Sequence, residues 1–260
     1  MIMIKSVHTI CTEIYSAACA ARQEGCENIM PEDEMITEEY TDARLVKIFS
    51  HSKLFQGMAS NDIAELIPKL KGDVVTVKPF TTYHSEGEKI TRAGVILSGS
   101  LVVSKMLKEG GENLIQKLQA GYMAGVDIAC TTTQINPYRI YSVSGADIYE
   151  FPVDVIYGRN RLPDNVHIIL TENIMTFLAN ENIRRQYKID VLTTNSLRDR
   201  IMMYLETRSR KLSKDQFRIP YDRQEMANYL CVNRSALSHE LSMMRRDGLI
   251  DFRKDYFKLL

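Results

Sequence analysis

Between Gly72 and Pro163 the hydrophobic period of the chain is two. The runs "DVVTVKPF", "TYHSEGEKI", "AGVILSGSLVVSKML", "NLIQKLQAG", "RIYSVSG" and "ADIYEFP" are short, alternating or apolar, and glycines at 87, 94, 99, 110, 111, 121, 125 and 145 interrupt or separate many of them. "KEGGEN" between two runs reads as a hairpin turn. Short strands at this spacing cannot lie in an open sheet without leaving sticky edges. They predict a closed or double-layered antiparallel barrel.

The flanking segments have a different period. The chain has 260 residues, enough for about two domains. "LVKIFSHSKLFQGMASNDIAELIPKL" predicts a short helix, a turn at Gly57 and a second helix capped by Ser60 or Asn61. Residues 1–42 read as an extension: one amphipathic stretch, then an acidic run. Met30 and Met35 are alternative starts. Five cysteines at 11, 19, 26, 130 and 231 are odd in number and irregularly spaced, as expected of a reduced cytoplasmic protein. No apolar run reaches the ~18 residues of a membrane span, so no membrane partner is expected. The 33 Lys and Arg balance the 33 Asp and Glu. Residues 191–260 nevertheless hold fourteen basic and nine acidic side chains, which hints at a polyanion partner for that end.

After Pro163 the period returns to 3.6. "DNVHIILTENIMTFLANENIRRQYKIDVL" has no Gly or Pro over about eight turns. Met175, Leu178, Asn182, Arg185, Ile189 and Leu192 step alternately by three and four. This is a coiled-coil-like seam whose two polar members would fix register. It predicts pairing with a second copy; packing of the same face on the chain's own barrel is the alternative.

The segment "DRQEMANYLCVNRSALSHELSMMRRDGLID" carries the most chemistry. Asp222 and Glu225 have capping-box spacing, and Asn233 caps a second helix. Met226, Ala227 and Leu230, then Leu237, Leu241 and Met244, form inward faces around a tight turn at Cys231 and Val232. That is helix-turn-helix spacing. The outward edge of the second helix is then Arg234, Ser235, Ser238 and His239, positions that reach base edges in a major groove. Arg223, Gln224 and Asn233 sit at helix starts that suit phosphates. Arg245, Arg246, Arg253 and Lys254 extend the positive surface through a terminal hairpin. A merely solvated charged face is the competing reading.

Taken together, "RQEMANYLCVNRSALSHELSMMRRDGLI", "LFQGM", "GVILSGSLVV" and "LQAGYMAGVDIA" resemble the Crp/Fnr family of bacterial transcription regulators over roughly residues 43–260. The resemblance implies an α+β chain. Residues 43–162 would form an effector-sensing, jelly-roll β-barrel of cyclic-nucleotide-binding type. Residues 163–194 would form the dimerisation helix, and 195–260 a winged helix-turn-helix. It also implies a homodimer on a palindromic operator, with half-sites about 34–36 Å apart. RNA polymerase would be a further partner, and an allosteric signal from the barrel would re-aim the two reading helices. Two departures stand out. Cys231 occupies the turn position where the family usually has Gly, and His239 stands where most relatives carry Arg.

In the cyclic-AMP-binding relatives a Glu after the "GxxxG" and an Arg about ten residues on hold the ribose and phosphate. Here Gly121 and Gly125 are followed by Val126, and Asn136 stands at the Arg position. Both charge-bearing contacts are lost, so the effector is not expected to be cyclic AMP. Asp127 and Arg139 substituting for them through a shifted loop is the alternative. No cofactor is expected. Cys11, Cys19 and Cys26 lack the tight spacing of an iron–sulfur site, and Tyr149 stands where the relatives' fourth cysteine lies. His51, His84 and His167 show no haem-ligand pattern. A cupin-type metal enzyme would need His84 with Glu86 or Glu88 and further ligands that the strands do not supply. Hydrolase, phosphate-loop and metalloprotease motifs are absent, and no enzyme is expected.

Overall fold

The computed structural model describes residues 40–260 apart from 109 and 159–161. The N-terminal extension, with Cys11, Cys19 and Cys26, lies outside the described residues. Tyr40–Leu260 form one compact unit. It opens with helix α1 (Asp42–Phe49), capped by the Thr41 hydroxyl, and helix α2 (Ser60–Leu70). The sequence suggested Ser60 or Asn61 as the cap of α2. Instead Ser60 is the first helical residue, and Ala59 precedes it without a side-chain cap bond. Ile63, Leu66, Ile67 and Leu70 form the buried stripe of α2. Phe49 stacks on Phe55 with centroids 4.5 Å apart and meets the Tyr149 ring edge-on at 5.1 Å, which fixes the pair to the barrel.

The barrel consists of β1 (Asp73–Val77), β2 (Thr81–His84), β3 (Arg92–Met106), β4 (Glu112–Gln119), β5 (Met123–Ala124), β6 (Arg139–Ser142) and β7 (Ala146–Pro152). Its antiparallel order is β1-β7-β3-β6-β2, with β4 and β5 also on β3. Strand β3 belongs to both layers. Arg92–Gly99 pair with β7, whereas Ser100–Met106 pair with β4. Its register shifts between Ile96 and Ser98, and Gly99 follows with φ 72°. A Cβ at Gly99 would lie 2.1 Å from the Gly145 carbonyl oxygen, so only glycine fits the crossing. The hairpin between β3 and β4 turns through Gly110 and Gly111, both at positive φ.

A short helix α3 (Val126–Ala129) follows β5, and α4 (Asp154–Tyr157) follows β7. Helix α5 runs from Asp164 to Thr193. Then come α6 (Leu197–Leu212), β8 (Gln216–Arg218), α7 (Arg223–Tyr229), α8 (Arg234–Arg246), β9 (Ile250–Arg253) and β10 (Tyr256–Leu259). The last three strands pair in the order β8-β10-β9. One apolar cluster fills the barrel and covers it with α1, α2 and the first half of α5. A second joins α6, α7, α8 and the small sheet, and it also includes Val102 of β3 and Leu114 of β4. The C-terminal unit is thus packed onto one layer of the barrel.

Candidate nucleic-acid interface

Helix α7 begins with a complete capping box. The Asp222 carboxylate accepts from the Glu225 amide at 2.8 Å, and the Glu225 carboxylate accepts from the Asp222 amide at 2.8 Å. It ends in a Schellman turn: the Val232 N–H donates to the Ala227 carbonyl at 3.0 Å, and the Cys231 N–H donates to Asn228. Cys231 takes the left-handed position at φ 55°, the conformation for which glycine is the natural choice. Asn233 occupies the cap position of α8, yet its side chain makes no cap bond, contrary to the role read from the sequence.

Leu237, Leu241 and Met244 bury the inner face of α8. Burial of each contributes roughly 1.5–3 kcal/mol. Arg234, Ser235, Ser238 and His239 are all exposed at its N-terminal end. The rear of α8 is held by Arg198 of α6, which donates to Glu240 at 2.7 Å and to Asp247 at 2.6 Å. Pattern reading missed this anchor, since nothing in the spacing links positions 198 and 240. Arg253 and Lys254 are exposed at the tip of the β9–β10 hairpin. Arg234, Arg246, Arg253 and Lys254 form no ion pair among the described residues. Arg245 pairs with Asp251 at 2.8 Å.

Two residues expected at phosphates are already engaged. Arg223 is half-buried, with its guanidinium 5.0 Å from the Phe252 ring centroid and donating to the Lys254 carbonyl at 3.4 Å. Burial, with the neighbouring Arg234 charge, lowers its pKa. It ties α7 to the hairpin. Gln224 is exposed and donates to Asn228 at 2.9 Å.

The expected seam on α5 is divided. Met175, Asn182 and Ile189 face solvent, with Met175 65% and Ile189 52% exposed. Leu178 packs on the barrel core, Arg185 pairs with Asp127, and Leu192 is half-buried. The barrel takes a second stripe, Leu170, Ile174, Phe177, Glu181, Lys188 and Val191. Ile168 and Ile183 are also exposed and join the outer face.

The group of expected effector residues is likewise split. Gly125, Asp127, Gln116, Tyr122, Glu181 and Arg185 line a cleft between barrel and α5. It leaves about 20 Å³ for the centre of a water-sized sphere, which is room for one or two waters. Val126 is buried at the start of α3. Gly121 sits in the preceding turn at φ 81°. Asn136 is 0% exposed, and its amide group donates to the Ser85 and Tyr138 carbonyls, both at 2.8 Å, and accepts from the Tyr138 N–H. It staples two loops and has no free donor to offer. Arg139 lies over the Tyr141 ring at 4.6 Å and donates to Thr82. It is not among the cleft-lining residues, whereas Asp127 is and pairs there with Arg185. His84 pairs with Glu88 at 2.8 Å, and among the described residues no three His, Cys, Asp or Glu side chains converge as a metal site.

Residues 181–260 match the family model of the Crp-like helix-turn-helix domain. The whole described fold, barrel to hairpin, matches solved regulators. The chain carries a Crp-like helix-turn-helix domain on a fold shared with the Crp/Fnr regulators. It is similar to the c-di-GMP responsive global regulator CLP of Xanthomonas campestris, with 17% identity over 75% of this chain and 98% of that one, at a TM-score of 0.60. It is similar to a mutant of CooA from Carboxydothermus hydrogenoformans, with 12% identity over 78% and 87% of the two chains, at 0.59. FixK2 from Bradyrhizobium japonicum gives 13% identity over 72% and 92%, at 0.57. These identities carry the fold alone. No curated protein sequence matches the chain significantly. The departures from the family pattern are now located: Val126 is buried at the start of α3, Asn136 staples two loops, Cys231 takes the left-handed turn before α8, and His239 lies on the exposed edge of α8. Among the described residues no helix is long and apolar enough to cross a membrane.

Proposed function

We propose that the chain acts as a cytoplasmic homodimer that reads a palindromic operator and regulates transcription through RNA polymerase. One observation carries the reading: Arg234, Ser235, Ser238 and His239 stand together on the exposed start of α8, while its other face is locked into the core. A helix presented this way enters a major groove by its N-terminal end. Arg234 is the guanine reader, because its guanidinium is unpaired among the described residues and can meet N7 and O6 with two parallel bonds. Arg253 and Lys254 supply phosphate contacts. Gln224 and Asn233 supply polar groups at the two helix starts. Arg223 contributes through its hold on the hairpin.

The homodimer rests on the outer face of α5. Ile168, Met175, Asn182 and Ile189 recur every seven residues and all face solvent, which is the seam a partner helix fills. Each protomer then brings one α8 to one half-site. The barrel reaches α8 through α5 and through its own contact with α7.

Selection of duplexes from a randomised pool, followed by gel shift, tests the proposal. The expected result is a two-fold symmetric site with half-sites about one helical turn apart. Arg234→Ala is expected to relax base preference at one position of each half-site and to cost roughly 1–3 kcal/mol per contact. Failure to retain any duplex at low ionic strength overturns the reading.

A further inference from the structure

Helix α5 meets the barrel through charge as well as apolar packing. Glu181, Arg184, Arg185 and Lys188 span little more than two turns, and each engages a barrel group. Arg185 pairs with Asp127 in the first turn of α3. The Tyr122 hydroxyl donates to Glu181, and Arg184 joins Glu181 to Gln116 of β4. Lys188 donates to the Leu114 carbonyl and to Asn113 at 2.8 Å, and its ammonium lies 4.5 Å from the Tyr229 ring of the reading unit. Further along β4, Lys117 pairs at 2.8 Å with Glu225, the residue that closes the capping box of α7. Charged contacts therefore recur from α3 through α5 and β4 to the helix-turn-helix. In this arrangement the edge of α8 stays open to solvent.

The cleft is hostile to an anionic ligand. Asp127 and Glu181 both line it, and Arg185 is the one cation among its lining residues. Arg185 is already neutralised by Asp127. A cyclic phosphate entering there would reach Arg185 only by breaking that pair, and would then lie beside two carboxylates with Asp127 left unpaired. The space present holds one or two waters.

We propose that these charged side chains do the work of a small-molecule effector, holding barrel, α5 and reading unit in the DNA-reading arrangement so that the chain binds its operator without any cyclic nucleotide. The inference rests on the DNA-binding reading above and deepens it. The ion pair across α3 and α5 sets the state, so the control point is the Asp127–Arg185 pair rather than a bound nucleotide.

The test uses the full chain and a duplex recovered by it from a randomised pool. Affinity is measured without additive and with cyclic AMP, cyclic GMP or cyclic di-GMP at millimolar concentration; thermal melting is followed with the same three compounds and no DNA. Unchanged affinity and unchanged melting are expected. Asp127→Asn, which keeps shape and removes charge, is expected to weaken operator binding about tenfold or more while circular dichroism stays that of the parent. The exchanged pair Asp127→Lys with Arg185→Glu is expected to recover most of that loss, which a mere folding defect would not do. A tenfold gain in affinity, or a melting shift, with any of the nucleotides overturns the proposal, as does parental affinity in Asp127→Asn. The melting arm reads the cleft even if no duplex is ever bound, so failure of the ion-pair proposal and failure of the DNA-binding reading remain distinguishable.

Discussion

Lys188 gives a pH signature that can be worked from its surroundings. It is 7% exposed, bonded to Asn113 and the Leu114 carbonyl and covered by the Tyr229 ring. Burial pushes its pKa from 10.5 down to about 8; the Cys231 side chain pulls it back up, and the Arg184 charge adds to the depression. Between about pH 8 and about pH 10.5 the unfolded chain therefore binds more protons at this site than the folded one, and stability rises with pH. The whole interval is worth about 3 kcal/mol at about 1.4 kcal/mol per pH unit. From about pH 7 to about pH 9.5 roughly 2 kcal/mol of it is recovered. Lys188→Met lacks this titration. Any constant offset from its lost hydrogen bonds cancels when the two chains are compared at both pH values, as do the titrations they share. Urea unfolding of both chains at about pH 7 and about pH 9.5 is the assay. The parent is expected to gain about 2 kcal/mol on the variant. A difference that stays constant within about 0.5 kcal/mol would mean that Lys188 keeps an ordinary pKa, and the reasoning from burial would be wrong.

Other outcomes follow from local geometry. Cys231→Gly relieves a left-handed backbone cost of about 1–2 kcal/mol and adds about 0.5–1 kcal/mol of unfolded-state entropy, so a net gain of up to about 1.5 kcal/mol is expected in thermal or urea melts. Gly99→Ala places a methyl carbon against the Gly145 carbonyl and should cost well over about 3 kcal/mol, seen as loss of soluble protein or a collapsed urea midpoint. Lys254→Ala should lower affinity for all duplexes alike and reduce the slope of log affinity against log salt by about 1; an unchanged slope removes the hairpin tip from the footprint. Met175→Glu with Ile189→Glu should convert the assembled form to monomer in sedimentation, and an unchanged mass would place the partner elsewhere.

Much of the architecture was legible because period and punctuation coincide. Alternation broken by glycine gave the layers of β1–β7, and Asp222, Ala227, Leu230, Leu237 and Leu241 sit at offsets that few structures other than α7 and α8 satisfy. The face of α5 was less legible. Heptad spacing is present twice along it, once as steps of seven through Ile168, Met175, Asn182 and Ile189, and once mostly as steps of three and four through Leu170, Ile174, Phe177, Glu181, Lys188 and Val191. The second stripe carries two charged residues, so apolar counting passed over it. Those charges are buried only because Tyr122, Asn113 and the Leu114 carbonyl, distant in sequence, arrive to meet them. Asn136 shows the same limit from the other side. Its place in the chain suggested a ligand contact, but its bonds are spent on Ser85 and Tyr138, one of them more than fifty positions away.

The sharing of Val102 and Leu114 between barrel and reading unit has a consequence for dissection of the molecule. A fragment starting after α5 would bare the face of α7 that now rests on β4, and would strand Glu225 without its lysine. Severed at that joint, the C-terminal segment should be sticky and less sharply folded than it is in place, and nicking by proteases should degrade the chain as a whole instead of liberating a tidy DNA-binding core.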